Sequence, residues 1–111
     1  MIEVVIKNHF DANLTEPTFL EKPSSKVGGY VVFERTGGGK ENHLPSGTFA
    51  FQSYGSSLYK AIELHEKVKK VVESLIDLDE IRSVKLNSEY NFTDTSTKEY
   101  RYQAVYDIKY Y

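Results

Sequence analysis

The sequence has no cysteine and no tryptophan. Without cysteine there is no disulfide, no thiolate nucleophile and no Cys-based zinc site. It also lacks a basic excess: 14 Lys and Arg stand against 16 Asp and Glu, for a net charge of -2. A surface built mainly to grip nucleic acid or anionic lipid needs the opposite balance. No hydrophobic run is long enough to span a membrane, and the opening MIEVVIKNHFDAN has no apolar signal core. The chain is therefore expected to be made and used in the cytosol, and the N-x-T sequons at Asn13 and Asn91 are read as accidental. What is present is 111 residues, enough for one domain with a real core, and nine tyrosines. Tyrosine pairs a large apolar ring with a polar tip and suits half-buried sheets and protein contacts.

The stretch 56–77 (SSLYKAIELHEKVKKVVESLID) contains no Pro or Gly. Leu58, Ala61, Ile62, His65, Val68, Val72, Leu75 and Ile76 recur at three- and four-residue steps, which places them on one face of an α-helix. Lys60, Glu63, Glu66, Lys67, Lys70 and Glu73 form the wet face, and Ser56 or Ser57 is the N-cap. Residues 2–13 also read as a helix, with Ile2, Val5, Ile6, His9 and Phe10 on one side. Strands are expected at 30–36, 48–54, 84–90 and 101–109, with a short extended piece at 18–22 between Pro17 and Pro23 and a loop at 23–29. The order is α-β-β-β-α-β-β: a single α+β domain, residues 1–111. Its sheet is mixed or mostly antiparallel, with a hairpin on each side of the long helix and the helices on one face. The long helix is expected to seat Leu58, Ile62, Val68, Val72 and Leu75 on a sheet containing Phe49 or Phe51 and Tyr102 or Tyr106.

The motifs that would carry chemistry fail on spacing. The run Thr36-Gly37-Gly38-Gly39-Lys40-Glu41 has Glu34 where a phosphate loop needs glycine, and Glu41 where it needs Ser or Thr. It reads as a flexible hairpin tip over 37–43, followed by a second turn signal, Pro45-Ser46-Gly47. Asp77-Leu78-Asp79 opens like a calcium loop, but Arg82 stands where that loop needs glycine. His9, His43 and His65 show no ligand spacing, and His65 on the apolar helix face reads as a packed histidine. No Gly-x-Ser-x-Gly elbow is present. Tyr100, Tyr102, Tyr106, Tyr110 and Tyr111 with Arg101 and Lys109 admit a stacking platform for single-stranded nucleic acid. The charge balance favours packing and surface roles for them instead. No catalytic residue, cofactor or metal ligand is assigned, and a small enzyme with a dispersed site stays an open alternative.

Four stretches in order carry a resemblance: Tyr30-Val31-Val32-Phe33-Glu34-Arg35-Thr36-Gly37-Gly38, Phe51-Gln52-Ser53-Tyr54, Ser56-Ser57-Leu58-Tyr59-Lys60-Ala61 and Tyr100-Arg101-Tyr102-Gln103-Ala104-Val105. Over nearly the whole chain the sequence resembles the tail terminator or tail-completion (head–tail joining) proteins of long-tailed bacteriophages and prophages of Gram-positive bacteria. The resemblance implies a non-enzymatic α+β subunit of a ring, a hexamer in the family, at the head-proximal end of the tail tube. Its partners would be further copies of itself, the major tail tube protein and the head–tail connector protein, with no membrane. DNA would pass the lumen without specific binding, and the location would be the virion, after assembly in the host bacterial cytoplasm. A neighbouring head-completion or connector adaptor is the alternative within this class, and a nucleic-acid-binding module using the tyrosine-rich sheet is the alternative outside it. For the subunit contact the candidate residues are Tyr30, Arg35, Gly37, Gly38, Gly39, Lys40 and Glu41 on the hairpin arm. They would meet Asp77, Asp79 and Glu80 of a neighbour.

Overall fold

The computed structural model describes residues 1–25, 28–41 and 43–111, with Glu41 described by its backbone alone. Lys26 and Val27 of the expected loop 23–29, and Asn42 of the expected glycine loop, lie outside the described residues. The element order is α1 (Ile2–Asn13), β1 (Thr18–Phe19), β2 (Tyr30–Glu41), β3 (Leu44–Gly55), α2 (Leu58–Glu73), a 3-10 turn (Ser74–Asp77), β4 (Ile81–Asn91) and β5 (Tyr100–Tyr110). One five-stranded sheet runs β1-β2-β3-β5-β4, antiparallel except for the short parallel pairing of β1 on β2. This is the α-β-β-β-α-β-β fold expected from the sequence, with both hairpins in place.

Both helices lie on one face because strand alternation makes that face apolar. Val31 and Phe33 of β2, Phe49 and Phe51 of β3, and Ala104, Tyr106 and Ile108 of β5 are buried there, beneath Ile6 and Phe10 of α1, Val68 and Val72 of α2, and Leu75 of the 3-10 turn. Phe51 is the hub. Its ring stacks on Phe10 at 5.4 Å and on Phe33 at 5.6 Å, and meets Tyr106 edge-on at 6.1 Å. Such pairs contribute roughly 0.5–1.5 kcal/mol each beyond their burial. Ser57 caps α2 by accepting from Lys60 N–H. Gly55 makes the strand-to-helix turn possible, since a Cβ there would stand 2.5 Å from the Ala61 nitrogen.

Two expectations are corrected. The first is the seating of α2. Leu58, Ile62 and Ile76 are 37%, 39% and 47% exposed, whereas Leu64 and Val71 are buried at 3% and 7%. The helix is rotated so that its Leu64 side turns toward Gly29 and α1, which supply apolar cover that a sheet alone would not. The second is the glycine run. Residues 37–41 are strand, paired with 44–48, and His43, just before Leu44, is a turn residue with φ 65°. Pro45 and Gly47, read as a turn signal, are likewise in β3. Alternation turns the nitrogen of Pro45 away from β2, and β5 pairs with β3 only from Ser46 onward, so no ladder bond is lost there.

Leu75→Ala removes a fully buried side chain and should cost about 2–5 kcal/mol. Ile62→Ala should change stability by no more than about 0.5 kcal/mol. Urea unfolding of both variants checks the rotation, and equal losses would return Ile62 to the core.

Candidate functional site

The ladder places the candidate residues at one level of the molecule. Gly39 pairs with Ser46, Ser46 with Lys109, and Lys109 with Ser83, so these four form a row across the sheet. The row spans three strand spacings, about 14 Å. Lys40 lies one residue beyond it on β2. Ile81 follows it on β4, directly after the turn that carries Asp77, Asp79 and Glu80. The arm and the acidic turn thus stand at the same end of the sheet and on opposite flanks. Beyond Val32 no strand covers β2 among the described residues, so the arm is an edge.

The candidates divide by what they already contact. Tyr30 is buried and stacks on Tyr54 at 4.5 Å, with burial pushing its phenol upward in pKa. It anchors the base of the arm and is not a contact residue. Arg35 is held within the chain: Nε and Nη2 donate to the Glu3 carboxylate at 2.9 and 2.7 Å, and the guanidinium sits 5.8 Å from the Phe49 ring centre. The hydrogen bonds from Arg35 hold Glu3 below the usual carboxylate range, and Glu3 in turn raises Arg35. Gly37, Gly38 and Gly39 present a bare exposed strand, and Glu41 closes the ladder against Leu44. Lys40 is exposed and makes no ion pair among the described residues. Asp77, Asp79 and Glu80 are exposed in the same way, their carboxylates in no ion pair among the described residues, and the Glu80 carbonyl accepts from Tyr111 N–H at 3.0 Å. The cation available to a neighbour is therefore Lys40, not Arg35.

A second cluster was not anticipated. His65 of α2 is buried and donates from Nε2 to Glu89 of β4 at 2.8 Å. Lys69 lies 3.0 Å from both Glu66 and Glu89. The hydrogen bonds from His65 and then Lys69 hold Glu89 below its ordinary pKa. The ligand atoms of His65, Glu66 and Glu89 fall within 4.8 Å of one another, a spacing that a metal ion could use, but the Lys69 ammonium already sits against both carboxylates as their cation. The cluster acts as a clamp between α2 and the β4 edge. Ser53 Oγ is fully buried without a hydrogen bond among the described residues, so Ser53, His65 and Glu89 are not joined as a nucleophile, base and orienting group.

The face of the sheet without helices is internally bonded. Tyr54 stacks on Tyr30, and its ring is approached by Lys22 and Arg101 at 5.9 and 5.8 Å. Tyr54 OH donates to Gln52, Gln52 to Gln103, and Gln103 to Tyr90. These rings and amides are spent on each other, which leaves them poor platforms for stacked bases. Among known proteins, no family model and no curated sequence matches this chain. No helix among the described residues is long and apolar enough to cross a membrane.

The Glu3–Arg35 pair generates a pH prediction. A carboxylate whose folded pKa lies below its ordinary value of 4.5 stabilises the fold above that value, and the stabilisation is lost as pH falls through the lowered pKa. Glu3→Gln should be less stable than the parent at pH 7 by roughly 0.2–1 kcal/mol. The difference should shrink as pH falls below about 4.5 and vanish once Glu3 is protonated. Thermal unfolding between pH 7 and pH 2 checks it; a difference that stays constant to pH 2 would contradict it.

Proposed function

We propose that the chain is a non-enzymatic structural protein of a long-tailed bacteriophage or prophage, a tail terminator or tail-completion component. In this reading copies join into a ring at the head-proximal end of the tail tube. The four ordered stretches named above support it. The observation that carries the subunit contact is the placement of Lys40 and the acidic turn at one end of the sheet on opposite flanks. A contact between unlike surfaces closes into a ring when the rotation per copy is right. Lys40 of one copy meets Asp77, Asp79 and Glu80 of the next.

Exposed apolar side chains on the flank that carries the acidic turn fit the same contact. Helical spacing puts Leu58 and Ile62 on the edge of α2 from which Lys69 reaches β4, and Ile76 of the 3-10 turn and Leu86 of β4 are also exposed. The apolar groups supply attraction and the charges set register. The major tail tube protein and the head–tail connector are the partners above and below such a ring. Its lumen would pass DNA without gripping it.

Removing the gene from a phage that carries it should yield filled heads and separate tails, or tails of uncontrolled length. Normal virions from a clean deletion, with no related gene to compensate, would end the reading. Lys40→Glu should weaken ring formation at least several-fold while leaving the unfolding midpoint of the subunit unchanged, because an exposed charge adds little to stability. Sedimentation and a thermal melt read the two effects separately; rings that form as readily from the Lys40→Glu variant as from the parent would move the contact elsewhere.

A further inference from the structure

We propose that the open edge of β2, around residues 33–39, binds an extended segment of another protein as an added strand, with a basic side chain placed against Glu34. This goes beyond the ring reading and does not depend on it. β1 shows that the edge takes a strand: it pairs with Val31 and Val32, and Val31 N–H donates to Pro17 O at 2.9 Å. The chain then leaves the sheet at Leu20, which is exposed. The track beside β2 continues as a shallow groove of about 450 Å³, lined by Glu3, Leu20, Phe33, Glu34, Arg35 and Gly37.

Backbone direction suits this groove. Alternation from Val31 turns the N–H and C=O of Arg35 to the open side, and after the one-residue bulge at Thr36 it turns those of Gly38 the same way. No strand pairs with them among the described residues. Gly37, Gly38 and Gly39 have no side chains to bar an approaching backbone, the usual protection of an edge. The other edge of the sheet is protected: β4 is interrupted between Ile81 and Ser83 and again between Leu86 and Ser88, and it carries Arg82, Lys85 and Glu89. A second copy is a poor occupant for the same reason, because β4 is twice bent and two β2 edges would each bring a bulge at Thr36. The sign of the occupant follows from the groove. Arg35 is spent on Glu3, so Glu34, which makes no ion pair among the described residues, sets a preference for a cation. Leu20 offers an apolar contact to an alternate side chain. Strand addition of this kind draws affinity from the backbone and specificity from alternate side chains.

The test uses the whole protein and an acetylated hexapeptide alternating lysine and valine, followed by NMR. Binding should shift the Arg35 and Gly38 amides and slow their hydrogen exchange. Of two N-methylated forms of the peptide, one methylated on each edge, one should bind and the other should not. Glu34→Lys should weaken the lysine–valine peptide by roughly threefold to tenfold and reverse the preference toward a glutamate–valine peptide. No binding at millimolar peptide would overturn the proposal. So would equal binding of both methylated forms, or shifts confined to another surface. Peptide-independent protection of Arg35 and Gly38 that rises with protein concentration would assign the edge to a second copy instead and would also overturn it.

Discussion

The stack of Phe10, Phe51 and Phe33 is the contact on which the rest of the structure depends. It fixes α1 to the sheet, and through Phe51 it reaches Tyr106, whose hydroxyl donates to Glu73 of α2 at 2.7 Å. Both helices are thereby committed to one face. Burial, followed by the Glu73 carboxylate, drives the Tyr106 phenol far above its ordinary pKa, so this hydroxyl stays a donor throughout the working pH range. The other face satisfies itself through the Tyr54–Gln52–Gln103–Tyr90 relay. Beside these two bonded faces lie the two flanks and the arm.

That division is what the proposed role as an assembly part would use in a small, nearly neutral domain. Its flanks differ: one offers a bare glycine edge, Leu20 and Lys40, the other a clamped, twice-bulged strand, Ile62, Ile76 and the acidic turn. Unlike flanks favour head-to-tail contacts over two-fold ones. The clamp of His65, Lys69, Glu66 and Glu89 stiffens the β4 flank, so that flank can act as a fixed socket. The arm projects beyond β1 and, among the described residues, has a paired strand on one side only.

Much of this was legible in the sequence. Periodicities of 3.6 and 2 located both helices and the four long strands, and charge and composition set aside several chemistries. What was not legible came from contacts between distant segments. A run of three glycines has poor strand propensity, yet β3 pairs it into a ladder, and tertiary pairing outweighs local preference. The α2 stripe was misread toward Leu58 and Ile62 because a single helix does not reveal that α1 and Gly29 wait on its Leu64 side. Arg35 was read as a contact residue, although Glu3, 32 positions away, already holds it. The His65–Glu89 pair joins residues 24 apart, with no spacing rule to announce it. Tyr106, read as a packing group, is fully buried, whereas Tyr30, read as a contact residue, is buried against Tyr54, a ring that local alternation does not announce.

The head-to-tail contact is the central claim, and the absence of cysteine makes it directly measurable. Single variants Lys40→Cys and Asp79→Cys carry one thiol each and are mixed under mild oxidation, beside the double variant. The account predicts a disulfide between unlike single variants in preference to like ones, and from the double variant a ladder that ends in a closed species. Disulfides formed only between two Lys40→Cys copies, or a double variant that closes within one chain, would contradict it.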